Sequence, residues 1–119
     1  MPSLSKGAAG EVLAARFLRE KGYDLLAANY RCRLGEIDII ATDGEYIIFV
    51  EVKTRQGDAL YLPREAVTSA KQQRIRATAM LYLQQYPTEM PLRFDVVEVT
   101  ATAEKPMLAQ EIQHLQNAF

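Results

Sequence analysis

Residues 36 to 53 constrain the fold most. Glu36-Ile37-Asp38-Ile39-Ile40-Ala41-Thr42 runs into an Asp43-Gly44 pair, and Glu45 to Lys53 runs out of it. An Asp-Gly pair between apolar segments of strand length is a strong hairpin signal. With Asp43 and Gly44 as a two-residue loop, Ile40 falls opposite Ile47, Asp38 opposite Phe49 and Glu36 opposite Glu51. Opposed residues share a face, and the face repeats every second residue. One face then carries Glu36, Asp38 and Ile40 against Ile47, Phe49, Glu51 and Lys53. The other, Ile37, Ile39 and Ala41 against Tyr46, Ile48, Val50 and Val52, is apolar throughout. A bulge at Asp38 would break this parity. Burying ionised carboxylates is costly unless something pairs with them. A divalent cation held between Asp38 and Glu51 would be such a partner, and oxygen ligands suit magnesium or manganese rather than zinc or copper.

A second acid is out of place in the first helix, expected over about Ser5 to Lys21 and stopped by Gly22. At about 100° per residue, Leu4, Ala8, Val12, Ala15 and Leu18 share an arc, and Glu11 lands in its middle. Lys6, Arg16, Glu20 and Lys21 supply the solvent face. Glu11 therefore faces the core or a cleft. It either pairs with an arginine or joins the acids of the hairpin.

Composition narrows the chemistry. A chain of 119 residues, 49% of them hydrophobic, suits one globular domain with one core. No apolar run approaches a membrane span and no hydrophobic signal segment opens the chain, so a soluble cytoplasmic protein is expected. Cys32 and His114 are the only cysteine and histidine. That excludes an intrachain disulfide, a zinc-finger set and a two-histidine metal site. His114 near the expendable end of the chain also disfavours a histidine-based triad.

The formal net charge of -1 disfavours a generic nucleic-acid binder. The distribution points elsewhere. Between Lys53 and Arg76 stand six basic residues (Lys53, Arg55, Arg64, Lys71, Arg74, Arg76) and two acidic ones (Asp58, Glu65), with Arg31 and Arg33 just before the hairpin. Such a run is ordinarily a solvated helix face. Beside a carboxylate cluster it becomes a candidate phosphate-binding surface.

Other elements follow from pattern. Strands are expected over about Asp24 to Arg31, Glu36 to Thr42, Glu45 to Thr54 and Leu92 to Thr100, with a loop from Gln56 to Leu62. Pro63 can open a helix that runs to Gln85. There Ala66, Val67, Ala70, Ala77 and Leu81 share an arc that includes Arg74, with Lys71 at its margin. After a polar linker from Ala101 to Pro106, the tail suits either a helix or an edge strand, with the strand preferred. The order αβββαβ(β) implies a mixed α/β sheet covered by helices on both faces.

Several motifs together carry a resemblance: Gly7-Ala8-Ala9-Gly10-Glu11, Asn29-Tyr30-Arg31-Cys32, Gly35-Glu36-Ile37-Asp38, Phe49-Val50-Glu51-Val52-Lys53-Thr54-Arg55, Lys71, Arg93-Phe94-Asp95 and Asn117-Ala118-Phe119. The chain resembles the YraN-type family of small bacterial proteins. That family is similar to the PD-(D/E)xK, restriction-endonuclease-like nucleases, above all the archaeal Holliday-junction resolvases. No glycine precedes Pro63 and no proline precedes Asp38, which are departures from the respective patterns. The resemblance implies a restriction-endonuclease-like fold and a Mg2+- or Mn2+-dependent nuclease acting on DNA, branched DNA included, with a homodimer as the resolvase-like arrangement. It further implies that Asp38, Glu51, the Val52 carbonyl and Glu11 hold the metal and that Lys53 orients or deprotonates the attacking water. Arg31, Arg33, Arg55, Lys71 and Arg74 would contact the nucleic acid. Glu36 would either support the site or form a salt bridge with Arg31 or Arg33.

Overall fold

The computed structural model describes residues 6–56, 67–101 and 109–119. Among the described residues, two helices and five strands appear in the order α1 (Lys6–Glu20), β1 (Asp24–Cys32), β2 (Gly35–Thr42), β3 (Ile47–Gln56), α2 (Ser69–Gln85), β4 (Leu92–Ala101) and β5 (Ala109–Leu115). The strands form one sheet in the order β1-β2-β3-β4-β5. The β3–β4 pair is parallel and the other three are antiparallel. The α2 segment supplies the long connection that a parallel pair needs. This is the expected α/β mixed sheet, compatible with a nuclease-like fold, and the tail forms the preferred edge strand. Leu4, Ala66, Pro63 and most of the expected loop and polar linker lie outside the described residues. Among those described, no helix is long and apolar enough to cross a membrane.

Two cores sandwich the sheet. Ile37, Ile40, Ile47, Phe49, Phe94 and Val96 meet Ile75, Ala79 and Tyr82 of α2 on one face. Ile39, Ala41, Ile48, Val50, Val97 and Val99 meet Ala14 and Leu18 of α1 on the other. The buried stripes differ from the expected arcs. Val12 is 48% exposed, and α1 instead buries Gly10, Ala14 and Leu18. In α2 the buried residues are Ile75, Thr78, Ala79 and Tyr82, which leaves Ala70 and Arg74 exposed. An arc built mainly of alanines offers little apolar area, so the stripe holding Ile75 and Tyr82 takes the sheet.

The hairpin register also needs correction. Ile39 pairs with Val50, Ile40 with Phe49, Ala41 with Ile48 and Thr42 with Ile47, so the turn spans four residues, Asp43 to Tyr46. A two-residue type I′ turn needs positive φ at both central positions. Gly44 has it (φ 94°), whereas Asp43 does not. Asp43 Oδ1 instead accepts from the backbone N–H groups of Glu45 and Tyr46, each at 2.9 Å. The displacement is even, so faces near the turn are kept while partners change.

At Asp38 the parity does break. Ile37 joins the α2-side core whereas Ile39 joins the α1 side. Across the ladder Ala28 pairs with Ile39 and Tyr30 with Ile37, and the intervening Asn29 takes a left-handed φ of 53°. Asparagine is among the few non-glycine residues that tolerate this region.

Candidate metal and phosphate site

Glu51 and Lys53 lie two residues apart on the α2 side of β3, the central strand, near its middle. Glu51 is only 5% exposed, beyond the Phe49 side chain that fixes its face in the core. Its Oε1 lies 2.5 Å from Lys71 Nζ and 3.8 Å from Lys53 Nζ. Lys71 reaches it from the first turn of α2, where the Thr68 hydroxyl caps the helix by accepting from Lys71 N–H at 3.2 Å. Asp38 sits half-buried at the irregularity, its Oδ2 accepting from Val52 N–H at 2.8 Å. That bond ties β2 to β3 beyond their last ladder pair.

Glu11 approaches from the other face. A Cβ at Gly10 would run into the Thr54 hydroxyl, so glycine there lets α1 lie close on β3. The next residue, Glu11, accepts a hydrogen bond from the Asn29 side chain. Glu11, Asn29 and Asp38 line a cavity of about 220 Å3 together with Ala8, Val12, Ala15, Ala28 and Ile39.

The charges perturb one another. Burial, followed by repulsion from Glu51 and Glu11, raises the Asp38 carboxyl to about 7, against the pull of the Val52 N–H and Lys71. Burial and the negative charge of Glu36 and Glu51 raise Glu11, opposed by the bond from Asn29. Burial and the neighbouring Lys71 lower the Lys53 amine. Burial acts the same way on Lys71, but its bond to Glu51 outweighs it and lifts that amine above its ordinary value.

These four groups, Glu11, Asp38, Glu51 and Lys53, are thus within electrostatic reach of one another, and Lys71 joins them. Among the described residues, however, no three acidic, histidine or cysteine side chains form a ready-made metal-binding group. The donor chemistry nevertheless fits a hard cation: two acids drawn together by β2 and β3 are compensated at present by lysine.

The remaining expected residues separate. Glu36 does not face Glu51. It pairs across β1–β2 with Arg31, with Arg31 Nε 3.0 Å from Glu36 Oε2 on an exposed surface. Arg33 and Arg74 are exposed, available to a polyanion. Arg55 is turned to Glu98, Nε 3.1 Å from Oε1, with 18% of its side chain exposed.

Asn29 and Glu98 were not among the expected site residues. Asn29 stood in the Asn29-Tyr30-Arg31-Cys32 motif with no role assigned to it. Glu98 did carry a signal, because it continues the Phe94, Val96 alternation with a charge at a core position. It is 2% exposed, and burial raises its carboxyl while Arg55 opposes and Glu111 adds to the shift.

His114 is likewise not at an expendable end. Its side chain is 3% exposed, and its Nε2 lies 2.7 Å from Asp95 Oδ2. Lys21 Nζ at 2.8 Å from Nδ1 leaves that nitrogen the acceptor, so Nε2–H donates to Asp95. Asp95, fully buried, also takes Arg93 in a two-pronged bond (2.9 and 3.0 Å) and Asn117 N–H at 2.9 Å. Arg93 donates onward to Tyr23 at 2.9 Å. Phe119 then packs on Phe94 at 5.4 Å between ring centroids. This network anchors the tail.

The chain matches, over residues 10–99, a family described as Uncharacterised protein family UPF0102. It is 47% identical over 116 residues to a UPF0102 protein of Lachnoclostridium phytofermentans, covering 96% of this chain and 92% of the relative. A UPF0102 protein of Nocardia farcinica is 50% identical over 114 residues, with 95% and 87% covered. One from Symbiobacterium thermophilum is also 50% identical over 114 residues, with 95% and 94% covered.

Proposed function

Because this chain belongs to the uncharacterised protein family UPF0102, the YraN-type family its motifs resemble, we propose an activity from its side chains: a metal-dependent nuclease that hydrolyses DNA phosphodiester bonds. By analogy with the resolvases, its substrates are branched or otherwise structured DNA. One observation carries the reading. The charge of the nearly buried Glu51 raises the Asp38 carboxyl, and Lys53 and Lys71 both lie beside Glu51, an arrangement of charge that contributes nothing to the core.

Asp38, Glu51 and the Val52 carbonyl would hold Mg2+ or Mn2+, with Glu11 completing the set. A bound ion of this kind supplies a water of lowered pKa and neutralises charge at phosphorus. Lys53, whose amine burial and Lys71 have made less basic, orients the attacking water or takes its proton. Lys71 faces the developing negative charge on the phosphate oxygens. Exposed Arg33 and Arg74 hold neighbouring phosphates without reading sequence.

The experiment is Mg2+- or Mn2+-dependent cleavage of single-stranded, duplex and four-way-junction DNA by wild type, Asp38→Ala and Glu51→Ala. Cleavage by wild type that both substitutions abolish is expected. Activity surviving both refutes the assignment. A second reading, a nucleic-acid-binding or adaptor protein that cleaves nothing, draws support from the Lys71–Glu51 pair, which neutralises the acid without an ion. Manganese calorimetry separates the two, because the adaptor reading expects no Asp38-dependent binding.

A further inference from the structure

Lys71 breaks a local rule. The first turn of α2 holds no acidic residue, and a lysine there opposes the positive end of the helix dipole. Nothing in its own helix accounts for it. Its partner is in β3: the ammonium lies 2.5 Å from Glu51 Oε1, while Lys53 remains 3.8 Å from the same atom. The side chain is 35% exposed, so a four-carbon stem connects a buried ion pair to solvent.

Charge balance gives this pair a consequence. Glu11, Asp38 and Glu51 together offer at most three negative charges, and Lys53 and Lys71 together supply two positive ones. A divalent ion entering that set leaves an excess of positive charge at close range. The flexible Lys71 can relieve the excess, whereas Glu51 is fixed in the central strand. Relief comes by leaving Glu51, and a phosphate is the group that then restores neutrality.

Resting on the nuclease reading above, we propose that Lys71 is an internal stand-in for the divalent cation. It neutralises Glu51 in the metal-free protein, is displaced by the incoming ion, and then becomes the partner of the substrate phosphate. Lys71 thereby weakens metal binding in the absence of nucleic acid and couples the binding of ion and phosphate. The unloaded protein keeps Glu51 paired.

The test is calorimetric titration of the full chain with Mn2+ alone, for wild type, Lys71→Met, Lys71→Arg and Asp38→Asn. Lys71→Met is expected to bind Mn2+ about tenfold more tightly than wild type, and Lys71→Arg, whose guanidinium grips a carboxylate with two bonds, more weakly. A measurement on wild type alone keeps the idea open to refutation should a variant fail to fold. Labelling with acetic anhydride, mapped by peptide mass, should modify Lys71 severalfold faster once Mn2+ is added. Wild-type Mn2+ binding that Asp38→Asn abolishes but Lys71→Met leaves unchanged or weakens overturns this proposal and leaves the nuclease reading standing. Unchanged Lys71 labelling at saturating Mn2+ does the same. Absence of Mn2+ binding in every protein overturns both.

Discussion

Asp38→Asn is expected to stabilise the metal-free protein, and by an amount that depends on pH. In the folded chain Asp38 takes up its proton at about 7, raised from 3.8 first by burial and then by Glu51 and Glu11. At about 1.36 kcal/mol per pH unit, a difference of about three units amounts to roughly 4 kcal/mol of lost stability once the acid is ionised. Because the folded value lies above the unfolded one, the folded state binds the extra proton between about pH 4 and pH 7. Wild-type stability therefore falls over that window and the full cost is present above it. Asparagine carries no such cost, and its carbonyl can still accept from Val52 N–H. Allowing for a weaker neutral hydrogen bond, the variant should be about 2 to 4 kcal/mol more stable at pH 8, near 10 °C in Tm for a chain of this size. The difference should shrink toward zero at pH 4. Thermal unfolding with a chelator, from pH 4 to pH 8.5, measures it. A difference independent of pH, or a variant less stable than wild type at pH 8, refutes the account of strained acids. With Mn2+ present the order should reverse, since only wild type gains the binding energy.

Gly10→Ala should destabilise by about 1 to 3 kcal/mol in urea unfolding through its collision with Thr54, although alanine favours a helix by about 1 kcal/mol. A more stable variant would show that α1 does not press on β3 there, and Thr54→Ala in the same chain should restore most of the loss. Asp95→Ala should cost about 3 to 5 kcal/mol, because it leaves Arg93 buried without its main partner. His114, Arg93 and the Asn117 N–H outweigh burial and hold Asp95 below its ordinary range. Its contribution is therefore present above pH 4 and lost as pH falls through the depressed value, so acid unfolding of Asp95→Asn should show a shallower acid limb than wild type. If Arg33 and Arg74 both contact phosphate, replacing the pair with alanine should lower the slope of log K against log salt by about 2 in DNA-binding titrations. An unchanged slope would remove both residues from the interface.

Much of the molecule follows from local pattern. The apolar runs 37–41 and 46–50 could be little but strands, Asp43-Gly44 marked their turn, and the alternation of Glu51 with Lys53 put both on one face whatever the register. Glu11 was visible as an acid on an apolar side of its helix, although the centre of the buried stripe lay about two residues away, toward Leu13 and Ala14. The exact turn was not legible. It depends on whether Asp43 takes positive φ or caps Glu45 and Tyr46 with its carboxylate, and Arg93, fifty residues away in sequence, also holds that carboxylate at 3.4 Å.

The sequence by itself determined the order of elements, the class of fold and the oxygen-rich side chains of β2 and β3, because these depend on side-chain period and residue type over a few positions. Tertiary structure decided which helix stripe is buried, how Asn29 of β1 and Asp38 of β2 interrupt the ladder between those strands, and that His114 and the tail pack against the core. It also moved Lys71 from a basic helix surface to the carboxylate of Glu51, and Arg55 to Glu98. Those outcomes rest on apolar area and charge that meet only when distant segments pack, and no period within one segment encodes them.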